Sequence, residues 1–182
     1  MVNSDIPNGE SFADGVFLHP LAACIAYVQE NEWENTDNGT TTCHFVIPGD
    51  VVEFNSTMQW TPALAEVTVM LSCELACDDE RLPHLALALT RANGREDTYG
   101  KFVYKESDGL LIWEHTLFLD GMPGVTAEQM VRMIDSGRDE FESHLVALAT
   151  AANQPLPEPQ SSPEPEAQPE THLVLLPFTR LN

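Results

Sequence analysis

No lysine or arginine occurs in the first 80 residues of this 182-residue sequence, and the whole chain carries only 8 against 29 aspartates and glutamates, a net charge of −21. A chain so poor in positive charge is repelled by nucleic-acid phosphates and by anionic membranes, so neither is expected as a partner. Long apolar runs are missing too. No stretch approaches the roughly 18 residues of a membrane-spanning helix. The opening MVNSDIPNGESFADG has neither a basic start nor an apolar core, so no secretory signal is legible and a cytoplasmic protein is expected. Cys24, Cys43, Cys73 and Cys77 are then expected to be reduced and to pack as small apolar groups.

Catalytic and metal-binding signatures are equally scarce. Histidines 19, 44, 84, 115, 144 and 172 are scattered, with no His-x-x-x-His, and the cysteines form no Cys-x-x-Cys. Cys73 and Cys77 resemble a pair, but four residues along a strand span about 13 Å, too far for one zinc ion or one disulfide. There is no Gly-x-Ser-x-Gly elbow and no phosphate-binding glycine loop. Asn93-Gly94-Arg95 lacks the other glycines of a dinucleotide turn. No catalytic residue, cofactor or metal is therefore expected. Paired carboxylates such as Asp78 and Asp79 are expected as helix caps or solvated faces.

What is present is a clear alternation of elements. Pro20 suits the first turn of a helix, and Leu21, Cys24, Ile25 and Val28 follow as one apolar stripe. The stripe ends in the polar ENTDNGTTT. Three strand-like runs come next: residues 43–47, then Val52, Phe54, Ser56, Met58 and Trp60 alternating with polar residues, then the best-alternating run over residues 66–77. That period places Cys73 and Cys77 on the core side. Asp78-Asp79-Glu80 suits a helix start, followed by the stripe Leu82, Leu85, Ala86 and Leu89, with Asn93-Gly94 as a stop that tolerates positive φ. A hairpin over residues 99–119 turns at Asp108-Gly109. Thr126 and Gln129 have the spacing of a capping box. They open a long last helix with Met130, Ile134, Phe141, Leu145 and Leu148 on its apolar face and a candidate bend at Gly137.

The order α-β-β-β-α-β-β-α, with short consecutive strands, predicts an α+β fold: an antiparallel five-stranded sheet with flanking helices. Residues 1–16 are expected to form a polar, flexible arm, 17–152 the domain, 153–170 a Pro/Glu-rich polyproline-like linker, and 171–182 an apolar tail segment. Both faces of the strand at 110–119 are rather apolar. One should meet the helices, while the other needs a cover: the tail, a second subunit or a partner.

At this hairpin a family resemblance is legible. HPL (19–21), NEWE (31–34), FNSTMQW (54–60), VTVMLSCEL (67–75), ALTRANG (88–94) and YGKF (99–102) stand in order before the turn pair and His115. The ordered set, over about residues 19–148, resembles the YbjN family of bacterial proteins. Relatives often carry an arginine before the hairpin histidine; here it is Glu114, so no role of that arginine transfers. The resemblance implies a fold similar to type III secretion chaperones, in non-enzymatic, regulator-like proteins that commonly dimerise and bind partner segments. The expectation is a non-catalytic protein-interaction module, chaperone-like or regulatory, with protein partners and a homodimer as an option. Its contact residues are expected among Trp113, His115, Leu173, Leu175, Leu176 and Phe178. Two other readings stand beside it: an acidic mimic of nucleic acid that inhibits a basic protein, and a small enzyme with a site around His115, Glu114 and Lys101.

Overall fold

The computed structural model describes residues 15–122 and 124–154. The arm up to residue 14, the linker from residue 155 and the tail at 171–182 lie outside the described residues. The elements are β1 (Val16–Phe17), α1 (Pro20–Glu30), β2 (Asn35–Asn38), β3 (Thr42–Ile47), β4 (Phe54–Thr61), β5 (Glu66–Glu74), α2 (Leu82–Asn93), β6 (Lys101–Lys105), β7 (Leu110–Phe118), β8 (Val125–Thr126) and α3 (Ala127–Ala152). The architecture is α+β. One antiparallel sheet runs β2-β3-β4-β5-β7-β6, and a two-stranded ribbon joins β1 to β8.

The period-two pattern decides which side of the sheet is buried. Cross-strand register lines up Phe45, Ser56, Leu71, Trp113 and Phe102 in one row over five strands, and all five are buried. The helices lie on this face. Phe141 of α3 touches Phe54 and Phe102, with ring centroids 4.7 and 5.6 Å apart. α1 is tied to α3 where the Tyr27 hydroxyl donates to Asp135 Oδ1 at 2.7 Å. Trp33 closes the end of α1, stacked on Phe45 and edge-on to Tyr27. At the start of α3 the capping box is complete: Thr126 Oγ1 accepts from the Gln129 N–H, and Gln129 Oε1 accepts from the Thr126 N–H, satisfying two of the free donors of a helix start.

Several elements differ from the sequence reading, each for a local reason. A sixth strand, β2, lies inside the polar ENTDNGTTT and edges the five expected strands; edge pairing uses backbone groups, so apolar alternation does not announce it. Val16, placed in the arm by sequence, pairs with Thr126. The carboxylates at 78–80 do not cap α2; its N-cap is Arg81, with no side-chain cap bond, and a turn closed by the Asp78 carbonyl precedes it. Gly94 has φ −91°, so the helix stops without a left-handed residue, and Asn93 instead exchanges two hydrogen bonds with the Phe102 backbone. In the hairpin only Gly109 takes positive φ, at 62°, after a single 3-10 turn. Cys77 lies beyond the end of β5 and is only partly covered, whereas Cys73 is buried. On α2 only Leu85 and Ala92 are buried and Ala86 is exposed, because this helix packs mainly on the sheet edge at β6 and on α3. α3 runs unbroken through Gly137.

Candidate functional site

Trp113, expected at a partner surface, is fully buried and belongs to the core. It sits in the middle of β7, and its indole lies where two glycines leave room. A Cβ on Gly100 would come within 2.1 Å of the ring, and one on Gly137 within 2.5 Å. Gly137 is thus a docking notch in α3, not a bend. The indole Nε1–H donates to Glu140 Oε2 at 3.0 Å, and the same oxygen accepts the backbone N–H groups of Tyr99 and Gly100, each at 3.0 Å. One carboxylate oxygen therefore joins α3, β7 and the entrance of β6. Sequence reasoning misses Glu140. Its signal is faint: a helical glycine three residues earlier, opposite a strand tryptophan.

His115 is half-buried on the helix-facing side of β7. Its ring stacks on Tyr99 at 4.1 Å, and Nδ1 is 2.8 Å from the Tyr99 carbonyl oxygen, to which it donates in that tautomer. Burial lowers its pKa from the ordinary histidine value, against smaller opposing effects of that carbonyl and of Glu140. Glu114 points to the other face, where its carboxylate lies 3.9 Å from Lys101 Nζ. The trio His115, Glu114 and Lys101 is split across the sheet and cannot act on one reacting atom.

The other face of the sheet is the larger feature. Register assembles Val46, Asn55, Ser72, Ile112 and Val103 in one row and His44, Thr57, Met70, Glu114 and Lys101 in the next. None of these residues is buried, and no described helix covers them. Phe118, at the end of β7, is 61% exposed. The surface mixes apolar patches (Met70, Ile112, Val103) with hydroxyls that pair across strands, as Thr68 does with Thr116 and Thr57 with His44. Such a face can bury a partner's apolar side chains but supplies no set of convergent acids, bases or nucleophiles. Leu173, Leu175, Leu176 and Phe178, the remaining expected contact residues, lie outside the described residues.

Among the described residues no three His, Cys, Asp or Glu side chains gather as a metal-holding group. Burial pushes the Cys73 thiol up to about 12 and raises Cys24 as well, which suits packing groups more than nucleophiles. No described helix is long and apolar enough to cross a membrane.

Comparison with known proteins gives one family and one fold. Residues 24–149 match the family model YbjN, described as "Putative bacterial sensory transduction regulator". The structure is similar to the crystal structure of YbjN from E. coli, itself described as "a putative transcription regulator". The TM-score is 0.55 at 16% identity, covering 80% of this chain and 100% of that one. Weaker likenesses are to a chain of the heterodimeric ExoU–SpcU complex from the type III secretion system of Pseudomonas aeruginosa and to the HopA1–SchA chaperone–effector complex. The first has TM-score 0.45 and 16% identity, covering 69% of this chain and 94% of that one. The second has TM-score 0.38 and 15% identity, with coverages of 70% and 88%. No curated protein matches the sequence.

Proposed function

The chain belongs to the YbjN family, and on that premise we propose that it is a non-catalytic protein-interaction module of the cytoplasm, chaperone-like or regulatory, which binds segments of a partner protein. The observation that carries the reading is the sheet face that no described helix covers, with Met70, Ile112 and Val103 among residues none of which is buried. A partner strand or helix laid there removes apolar surface from water at about 25 cal/mol per Å². The net charge of −21 favours a partner segment that is apolar and basic, speeds its approach, and keeps copies of the chain apart. His115 and Glu114 lie on opposite faces of the sheet, which supports the non-catalytic reading over a site built from that pair.

The test compares the full chain with the double variant Met70→Asp/Ile112→Asp. Both side chains are on the open face, so the fold should survive, which an unchanged melting temperature would verify. Affinity capture from the native source should recover a basic-segment protein with the unaltered chain and lose it with the variant. Equal recovery by both would remove the sheet face as the binding surface. Conversion of a dimer to a monomer by the same substitutions would show that a second copy, not a partner segment, covers it.

A further inference from the structure

Seven of the eight basic residues lie in the described part of the chain, and five of them are paired: Arg95 with Asp97, Lys101 with Glu114, Lys105 with Asp108, Arg132 with Glu128 and Arg138 with Asp139. Arg81 and Arg91 make no side-chain ion pair or hydrogen bond with any described residue, in a chain with 29 carboxylates. Both line the same groove, of about 480 Å³, between α2 and the C-terminal half of α3. Its floor is apolar: Leu87, Ala88 and Ala92 from α2 face Ala147, Leu148 and Ala151 from α3. Leu87 is 51% exposed at its edge. An apolar trough with a positive rim is out of keeping with the rest of this molecule, and it calls for an occupant that is apolar and acidic at once.

The chain contains such a segment. After α3 comes a linker with Glu158, Glu164, Glu166 and Glu170 and no lysine or arginine, followed by HLVLLPF. It departs from the mouth of the groove: Thr150 and Ala151 line the trough, and Gln154 is anchored where its Oε1 accepts from the Ala76 N–H, shortly before α2 begins. Residues 155–172 can span roughly 55 Å at about 3.1 Å per residue, whereas the groove runs along α3 for only about 10 Å from His144 to Ala151. The tail therefore reaches every part of the trough with chain to spare, and tethering holds it at high effective concentration. The lysines near the open sheet face are already matched by Glu114 and Asp108, so that face lacks the charge match that the groove offers.

We infer that the groove between α2 and α3 is the docking site of the chain's own residues 173–178, with the linker glutamates set beside Arg81 and Arg91. Leu173, Leu175, Leu176 and Phe178 fill the apolar floor, and the fold thereby keeps its stickiest segment off other molecules. The docking is independent of what the open sheet face binds.

Hydrogen exchange on the full-length chain, read by mass spectrometry, tests this. The amides of residues 173–176 and 178 are expected to exchange about tenfold or more below the unstructured rate. The double variant Arg81→Glu/Arg91→Glu changes two exposed side chains that have no ion-pair partner among the described residues and leaves the core alone; it should return those amides to the unstructured rate. Leu176→Asp should do the same from the tail's side and speed exchange in α2. Dilution by about a hundredfold should leave the protection unchanged, because a tethered segment does not sense concentration. Tail amides unprotected in the unaltered chain would overturn the inference. Protection that survives both sets of substitutions would place the segment elsewhere and overturn it as well. Protection that fades on dilution would make the occupant a second copy and would equally overturn docking within one chain.

Discussion

The Trp113 indole N–H points at Glu140, 3.0 Å from an oxygen that also accepts the N–H groups of Tyr99 and Gly100. One side chain of α3 thereby holds both strands of the hairpin. Glu140→Ala strands three donors at once and should lower stability by about 2–4 kcal/mol in urea unfolding. Glu140→Gln keeps a carbonyl oxygen and should lose less than half as much. Equal losses would mean that the acceptor is not what matters at this position.

Gly137→Ala should reverse the usual sign of a helical glycine substitution. In an open helix the change gains about 1 kcal/mol. Here the new methyl would meet the Trp113 ring at 2.5 Å and Leu71 at 2.7 Å, so overpacking should win by about 1–3 kcal/mol. A blue or red shift of the tryptophan emission should accompany the loss. A stabilised variant with unchanged emission would refute the notch.

His115 should make the protein less stable in mild acid. Burial lowers its folded pKa below the unfolded value, so the unfolded chain takes up the proton first. The neutral ring's contribution is fully present above about pH 6.5 and is lost as pH falls through that value toward the folded pKa. Urea midpoints at pH 7.5 and 5.5 should therefore differ less in His115→Gln than in the unaltered protein. The difference is the informative quantity, since the many carboxylates titrate in both. An equal drop in the two proteins would exclude His115 as a contributor.

Of the four thiols, one should react fast. Cys24, Cys43 and Cys73 are buried, and Cys77 alone is partly open. Its pKa too is raised, by burial and by Asp78, so a disulfide reagent near pH 8 should find one moderately reactive group and the other three only after unfolding. Cys77→Ser should abolish the early phase. Any early equivalent in that variant would show that the core opens more readily than its packing implies.

The strands β3, β4, β5 and β7 are legible in the sequence because each has one face against helices, and a half-buried strand must alternate. The capping box at Thr126 is legible because both partners lie within one turn. The edge strand β2 and the bare start of α2 are not, because backbone pairing and turn geometry carry no side-chain period. Trp113 reads as a surface residue because its burial depends on Gly100 and Gly137, one just ahead of β6 and the other in a distant helix.

Sequence alone determined the α+β class, the succession of helices and strands, the acidity, and the existence of an apolar tail behind an acidic linker, because each is a property of neighbouring residues or of composition; that β5 pairs with β7 and leaves β6 at the edge came from the tertiary structure. Only the tertiary structure decided which carboxylate meets which donor, and which two arginines have no ion-pair partner among the described residues. It also decided that one face of the sheet is covered by no described helix while α2 and α3 leave a groove beside the end of α3. Those facts rest on residues far apart in sequence, brought together by packing, and no local pattern encodes a distance.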